Sequence, residues 1–296
     1  MKKIKIALII VLVGIIAYSG VQIFKDQKDS KADNIYEGDY ETTPYVLCEN
    51  IETTSEETIS ESSVVTSNAT TEWKQANANV VCTVSINGLN NEPVVNTGKN
   101  QNEYLYKDIN GNYNKNGTLF TAYGSELGKT NVTTIFGHSM KSGQKFGTLN
   151  KFKNLDYVKE NPVFTLTDEY SDILVKIVGV CDVSSNYKKN NWYYADPNQS
   201  VESFVKQFRN RSYFVIPDKA PSDGKYVILS TCDYSFENER LIIVGRIMDS
   251  SEINTKDYRQ NQFVQRAVEY YETHNVSAPS AEQLSKNYSA NYGKTS

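Results

Sequence analysis

Cys232 closes the apolar run Val227-Ile228-Leu229-Ser230-Thr231, and eight residues later Arg240 opens a second one, Leu241-Ile242-Ile243-Val244-Gly245. Far upstream, His138 follows Thr133-Thr134-Ile135-Phe136-Gly137, so it too stands at the end of a strand-like segment. A cysteine thiolate attacks an amide carbonyl to give a thioester when a positive group stabilises it or a base activates it. Imidazole titrates near neutrality, and can protonate a leaving amine and then deprotonate an incoming one. The guanidinium of Arg240 keeps its charge and offers planar donors, which suit an oxyanion or a substrate carbonyl better than proton transfer. A hairpin joining 232 to 240 would lay that guanidinium across from the sulfur. Taken singly, each residue also fits a plainer role: Cys232 a packed core thiol, His138 a structural side chain, Arg240 a solvated surface charge.

The elements that must position them are short β-like runs split by Gly, Asn and Asp turns between Ala78 and Met248, the pattern of a barrel or sandwich. Eight strands are expected, over 80–86, 93–96, 117–122, 131–136, 162–167, 173–183, 225–231 and 241–248. Helices are expected near 145–158 and over 200–209, where Val201, Phe204, Val205 and Phe208 recur at helical spacing. Beyond Met248, Val264, Ala267, Val268 and Tyr271 lie on one helical face, with Thr255 as a cap and Pro279 past the stop. Ser280 and Gln283 have the spacing of a capping box for a further helix. The apolar stripe implies docking on the barrel, and the expected place is away from the Cys232 groove.

Phe136-Gly137-His138-Ser139-Met140 and Ile228-Leu229-Ser230-Thr231-Cys232 resemble the Tyr-Gly-His-Asn-Met and Thr-Leu-Ser-Thr-Cys signatures of class B sortases, the membrane-anchored cysteine transpeptidases of Gram-positive bacteria. The resemblance runs from about Ala78 to Met248. It implies a mainly β fold with added helices: an eight-stranded sortase-type barrel, with an extra helix before the cysteine strand where 200–209 falls. It also implies Cys232 as nucleophile, His138 as general acid and base, and Arg240 as oxyanion donor, with no metal and no cofactor. Phe136, Ser230, Thr231 and Asp233 become the substrate-binding candidates. Ile228 replaces the family's Thr, and strand alternation is expected to turn it away from Cys232, so its role is packing. The implied reaction cleaves a C-terminal sorting motif after Thr and passes the acyl group to a peptidoglycan or pilin amine. The partners are then surface proteins bearing that motif.

Composition frames this reading. The 296-residue chain carries a net charge of −4 and 39% hydrophobic residues, with no basic run beyond the N-terminus, so nucleic acid is excluded as a partner. Ile6 to Phe24 form an apolar run behind Lys2, Lys3 and Lys5, about the length that crosses a bilayer core of ~30 Å. Ile6 to Ala17 followed by Ser19 also fits a cleaved signal sequence. Either way the remainder is exported, and the resemblance favours a retained single-pass anchor with the catalytic domain outside the cell. Lys25 to Thr71 is rich in Ser, Thr, Glu and Asn, too polar for a core, and reads as a flexible stalk. The organisation is then a tail over 1–5, an anchor over 6–24, a stalk over 25–71, a catalytic domain over 72–249 and a helical extension over 250–296. Of the four cysteines, Cys48, Cys82 and Cys181 sit in contexts that suggest buried or incidental thiols and no disulfide. Two other readings stand beside the transpeptidase. A secreted cysteine peptidase of the papain or cell-wall kind is opposed by chain order, since those enzymes place Cys before His. A catalytically inactive, membrane-tethered assembly module is opposed by the intact Cys, His and Arg.

Overall fold

The computed structural model describes residues 68–96, 98, 102–185, 191–193, 200–248 and 253–293. The expected anchor over 6–24, nearly all of the stalk, and Cys48 lie outside these residues, and no helix among them is long and apolar enough to cross a membrane. The last residues assigned to the stalk are helical instead: Asn68 caps helix α1 (Ala69–Ala76), and its side chain accepts from the Thr71 N–H. Thr70, on the buried face, donates its hydroxyl to the Thr167 carbonyl, so the helix is tied to the barrel.

Eight strands close the barrel: β1 (Val80–Ile86), β2 (Leu89–Val95), β3 (Leu119–Thr121), β4 (Val132–Phe136), β5 (Val163–Thr167), β6 (Asp172–Ser184), β8 (Tyr226–Cys232) and β9 (Glu239–Ile247). Their order around the barrel is β1-β2-β3-β4-β8-β9-β6-β5. Each falls where the alternating runs place it, within a few residues at either end. The pairs β2–β3 and β4–β8 are parallel, and the others are antiparallel.

Alternation divides the apolar side chains of β8 and β9 between two cores. Val227 and Leu229 of β8 point inward with Leu241 and Ile243 of β9, against Phe164 and Leu166. Tyr226 and Ile228 point outward with Ile242 and Val244, and are covered by Phe204, Val205 and Phe208 of helix α3 (Val201–Arg211). Each such buried side chain contributes roughly 1.5–3 kcal/mol. Both faces of β8 are therefore dry, which fixes the strand that ends in Cys232. Ser200 caps α3 by accepting from the Ser203 N–H at 3.2 Å, as its type and position suggest. Ile228 corrects the parity count: residues 228, 230 and 232 share one face, so it lies on the side of Cys232, packed beneath α3.

The helix expected over 145–158 is split. A 3₁₀ turn (Gly147–Lys153) comes first, then Asn154 takes the N–H groups of Asp156 and Tyr157 to start a separate helix α2 (Leu155–Glu160). A capping side chain in mid-segment ended the first element.

The C-terminal stripe fails over most of its length. Thr255 caps nothing; its carbonyl accepts from Tyr258 N–H in a turn. Strand β10 (Arg259–Gln260) instead pairs with β7 (Phe214–Val215), which directly follows α3. Asn261 completes that pairing, its backbone N–H bonding to Tyr213 O and its amide to Ser212 O, both at 2.8 Å. Helix α4 covers only Val268–His274, Val268 is 55% exposed, and the chain leaves the helix through Asn275 at φ 51°. The second helix, α5 (Ala281–Tyr292), begins with the expected capping box of Ser280 and Gln283. The extension does dock on the barrel domain, with Arg209 of α3 lying 4.3 Å from the Tyr292 ring centre.

Candidate active site

The register brings Cys232, Arg240 and His138 to one end of three adjacent strands. Cys232 and Arg240 are direct cross-strand partners in the antiparallel β8–β9 pair, so their side chains share the outer face. Such partners stand about 4.5–5.5 Å apart at Cα. On the other side of β8, parallel β4 ends with Phe136 level with Ser230, and Gly137 N–H extends the ladder to Ser230 O at 3.1 Å. Two residues on, His138 comes level with Cys232, also two residues on, with strands spaced about 4.8 Å. The register thus sets Arg240 directly across from the cysteine, while His138 follows the end of the strand on its other side.

Two backbone devices hold the histidine there. Thr231 donates its hydroxyl to Gly137 O at 2.8 Å, tying the exit of β4 to β8. His138 Nε2 lies 2.8 Å from Leu105 O, a carbonyl with no proton of its own, so Nε2 carries the hydrogen and donates it. That fixes the tautomer and leaves Nδ1 for proton traffic. The Tyr106 ring lies beside the imidazole, 5.5 Å between centres. Gly117, at φ 63°, passes so close to this turn that a Cβ would come 2.8 Å from Tyr104 O and nearer still to Leu105 O. Leu105 and Tyr106 were not singled out in the sequence. A backbone carbonyl leaves no side-chain signature, and only the Glu103–Tyr106 turn brings it to the histidine.

Burial separates the thiols. Cys82 and Cys181 are sealed in the two cores, where burial pushes Cys82 up to about 12 and Cys181 higher. Neither can ionise near neutrality. Cys232 alone among the described cysteines is half-exposed, and none of the three is in a disulfide. Arg240 is half-buried, with Nη1 donating to Glu239 O at 2.9 Å, which steadies the guanidinium beside the thiol.

The substrate-binding candidates divide. Phe136 is half-buried on the outer face against Phe120, ring centres 5.6 Å apart. Ser230 shares the face of Cys232, and its buried Oγ makes no hydrogen bond among the described residues, a state that costs ~1–3 kcal/mol unless something fills it. Thr231 departs from its expected role: it is buried and committed to Gly137 O, so it positions His138 instead of meeting a peptide. Asp233 is likewise engaged, in an ion pair with Lys153. Lys153 also lies 3.5 Å from Asp182 and 3.9 Å from Glu239, which gathers three carboxylates around one ammonium behind the hairpin. Burial alone would lower Lys153, yet Asp182, Asp233 and Glu239 outweigh it and raise its pKa. Burial lifts Asp182 well above the ordinary carboxylate range, against the pull of Lys153. Those carboxylate oxygens lie within 4.8 Å of one another, and the ammonium of Lys153 already neutralises part of their charge.

No protein-family model matches the chain. Two curated relatives do. Sortase B of Listeria monocytogenes is 24% identical over 159 residues, 51% of this chain and 62% of that protein. Sortase B of Staphylococcus aureus is 21% identical over 184 residues, 60% of this chain and 74% of that protein. The alignment therefore spans less than two thirds of the Listeria protein's length. Among solved structures, Clostridium perfringens sortase B superposes with a TM-score of 0.55 at 23% identity, covering 60% of this chain and 98% of that one.

Proposed function

The chain resembles class B sortases in sequence and shares their fold, and from that premise we propose that it is a cysteine transpeptidase. The observation that carries the reading is the alignment of His138, Cys232 and Arg240 across three adjacent strands, around the one half-exposed thiol among the described cysteines. The Cys232 thiolate attacks the carbonyl of a peptide held in the groove. Arg240, level with the sulfur, donates to the tetrahedral oxyanion. His138, its Nε2–H already engaged by Leu105 O, takes the proton of the Cys232 thiol on Nδ1 and then passes it to the departing amine. The acyl group then rests on sulfur as a thioester. An incoming amine loses a proton to the same imidazole, attacks the thioester and forms a new amide, releasing the thiol.

The proposed substrate is a C-terminal sorting motif cleaved after Thr, and the proposed acceptor is a peptidoglycan or pilin amine. The half-buried Phe136 ring, on the face of Cys232, is suited to receive an apolar side chain of that peptide. Residues 6–24 would hold the enzyme in the membrane, with the catalytic domain outside the cell. Replacement of Cys232 by Ala tests the assignment: peptide turnover should vanish while the melting temperature holds, because a half-exposed thiol leaves little cavity. Retained turnover, with Cys82 or Cys181 carrying the acyl group, would contradict it.

A further inference from the structure

We propose that Arg266, in the C-terminal extension, is a positioning residue for the Cys232–Arg240 pair. The inference rests on the reading of Cys232 as nucleophile. Residues 233–238 connect the strand end bearing Cys232 to the strand bearing Arg240, so their conformation sets how the two side chains face each other. Glu239 is fully buried and accepts from Ser235 Oγ at 2.8 Å and from the Ser235 N–H, which curls the connection back on itself. At its other end Asp233 is held by Lys153, the same ammonium that faces Asp182 and Glu239.

One lysine among three carboxylates leaves excess negative charge where water is scarce, and Asp182 is only 3% exposed. Arg266 supplies the second cation, its Nη1 2.5 Å from Asp182 Oδ2. The guanidinium is itself held by two aromatic rings, 4.1 Å from the centre of Tyr213 and 4.9 Å from that of Tyr270. Tyr270 also meets Phe236, inside the connection, edge to face at 6.2 Å. Alongside, Ser184 donates to Glu269 at 3.1 Å, and Ser184 is the β6 partner of Glu239. The extension thus reaches the connection by two routes, charge through Asp182 and Lys153, and ring contact through Tyr270. Without Arg266, Asp182 draws Lys153 away from Asp233, which loosens the residue next to Cys232.

The test compares the full chain with Arg266→Ala, Arg266→Lys and Tyr270→Ala, measuring kcat and KM on a sorting-motif peptide and the pH profile of Cys232 alkylation by iodoacetamide. Arg266→Ala should lose on the order of 10²-fold in kcat, the scale of a ~1 Å misplacement, with KM little changed and the alkylation profile displaced. Arg266→Lys, which keeps the charge toward Asp182, should recover part of the loss. A folded Arg266→Ala with wild-type kcat and alkylation profile overturns the proposal, even if its melting temperature falls. If Arg266→Ala does not fold, Tyr270→Ala decides: a reduced kcat with a displaced profile supports the coupling, and wild-type values overturn it. Should the unmodified chain turn over no peptide, the transpeptidase reading fails, and the alkylation profiles still decide whether Arg266 positions Cys232.

Discussion

Replacing Gly137 by Ala should damage activity more than stability, and the structure sets both magnitudes. A Cβ at 137 would come 2.7 Å from Phe146 Cδ2 and closer still to Leu119 Cδ2. Both neighbours are fully buried in the inner core and cannot swing aside. Overpacking of this kind costs typically 1–3 kcal/mol, and for a domain of this size each kcal/mol lowers the melting temperature by about 2–4 °C. The remaining strain is relieved by moving the backbone of 137. That backbone is bonded on one side to Ser230 O and on the other to Thr231 Oγ, and it carries His138. A shift near 1 Å at the imidazole costs about 10²-fold in rate. The assay is single-turnover acylation by a sorting-motif peptide, at a temperature where thermal melts show the variant folded. A folded Gly137→Ala enzyme acylating at the wild-type rate would refute the claim that the close approach at 137 sets the histidine.

Further outcomes follow from the same geometry. Arg240→Lys should lose about 10²–10³ in kcat, the cost of an oxyanion donor, because a point charge cannot replace the planar pair; steady-state kinetics check this. Thr231→Val should slow acylation by weakening the tie to Gly137 O while sparing peptide affinity, measured as kcat against KM. Burial would raise Asp218, but its hydrogen bonds to Arg246 and the charge of Lys176 outweigh that and hold its pKa below the ordinary value. Its contribution is therefore present at neutral pH and lost as pH falls through that depressed value. Asp218→Asn should destabilise by roughly 3–5 kcal/mol at neutrality, and the gap from wild type in urea melts should narrow in strong acid. Truncation after Ser250 removes Arg266 and Tyr270, so kcat should fall along with the melting temperature.

The strands were legible because both faces of β8 and β9 are buried, which forces continuous apolar runs with fixed ends, and Cys232 and Arg240 sit at those ends. Less could be read where the chain chooses between local bonds. Asn154 split the helix expected near 145–158, and Asn261 drew the extension into strand pairing with β7 where a helical stripe was expected. The face of Ile228 was lost to a parity count that β8 itself corrects. Leu105 O was invisible because a carbonyl has no letter in the sequence. The cluster of Lys153, Asp182, Asp233, Glu239 and Arg266 comes from four separate segments, and no spacing rule joins them before the barrel closes.

The central claim, that Cys232 forms an acyl-enzyme, is tested most directly by intact-mass and peptide-mapping mass spectrometry of the protein mixed with sorting-motif peptides. The account predicts a thioester adduct on Cys232 that disappears when an acceptor amine is added, and that does not form in Cys232→Ala. An adduct mapped to another residue, or peptide cleavage by a chain whose Cys232 remains unmodified and can be replaced by Ala without loss, would contradict it.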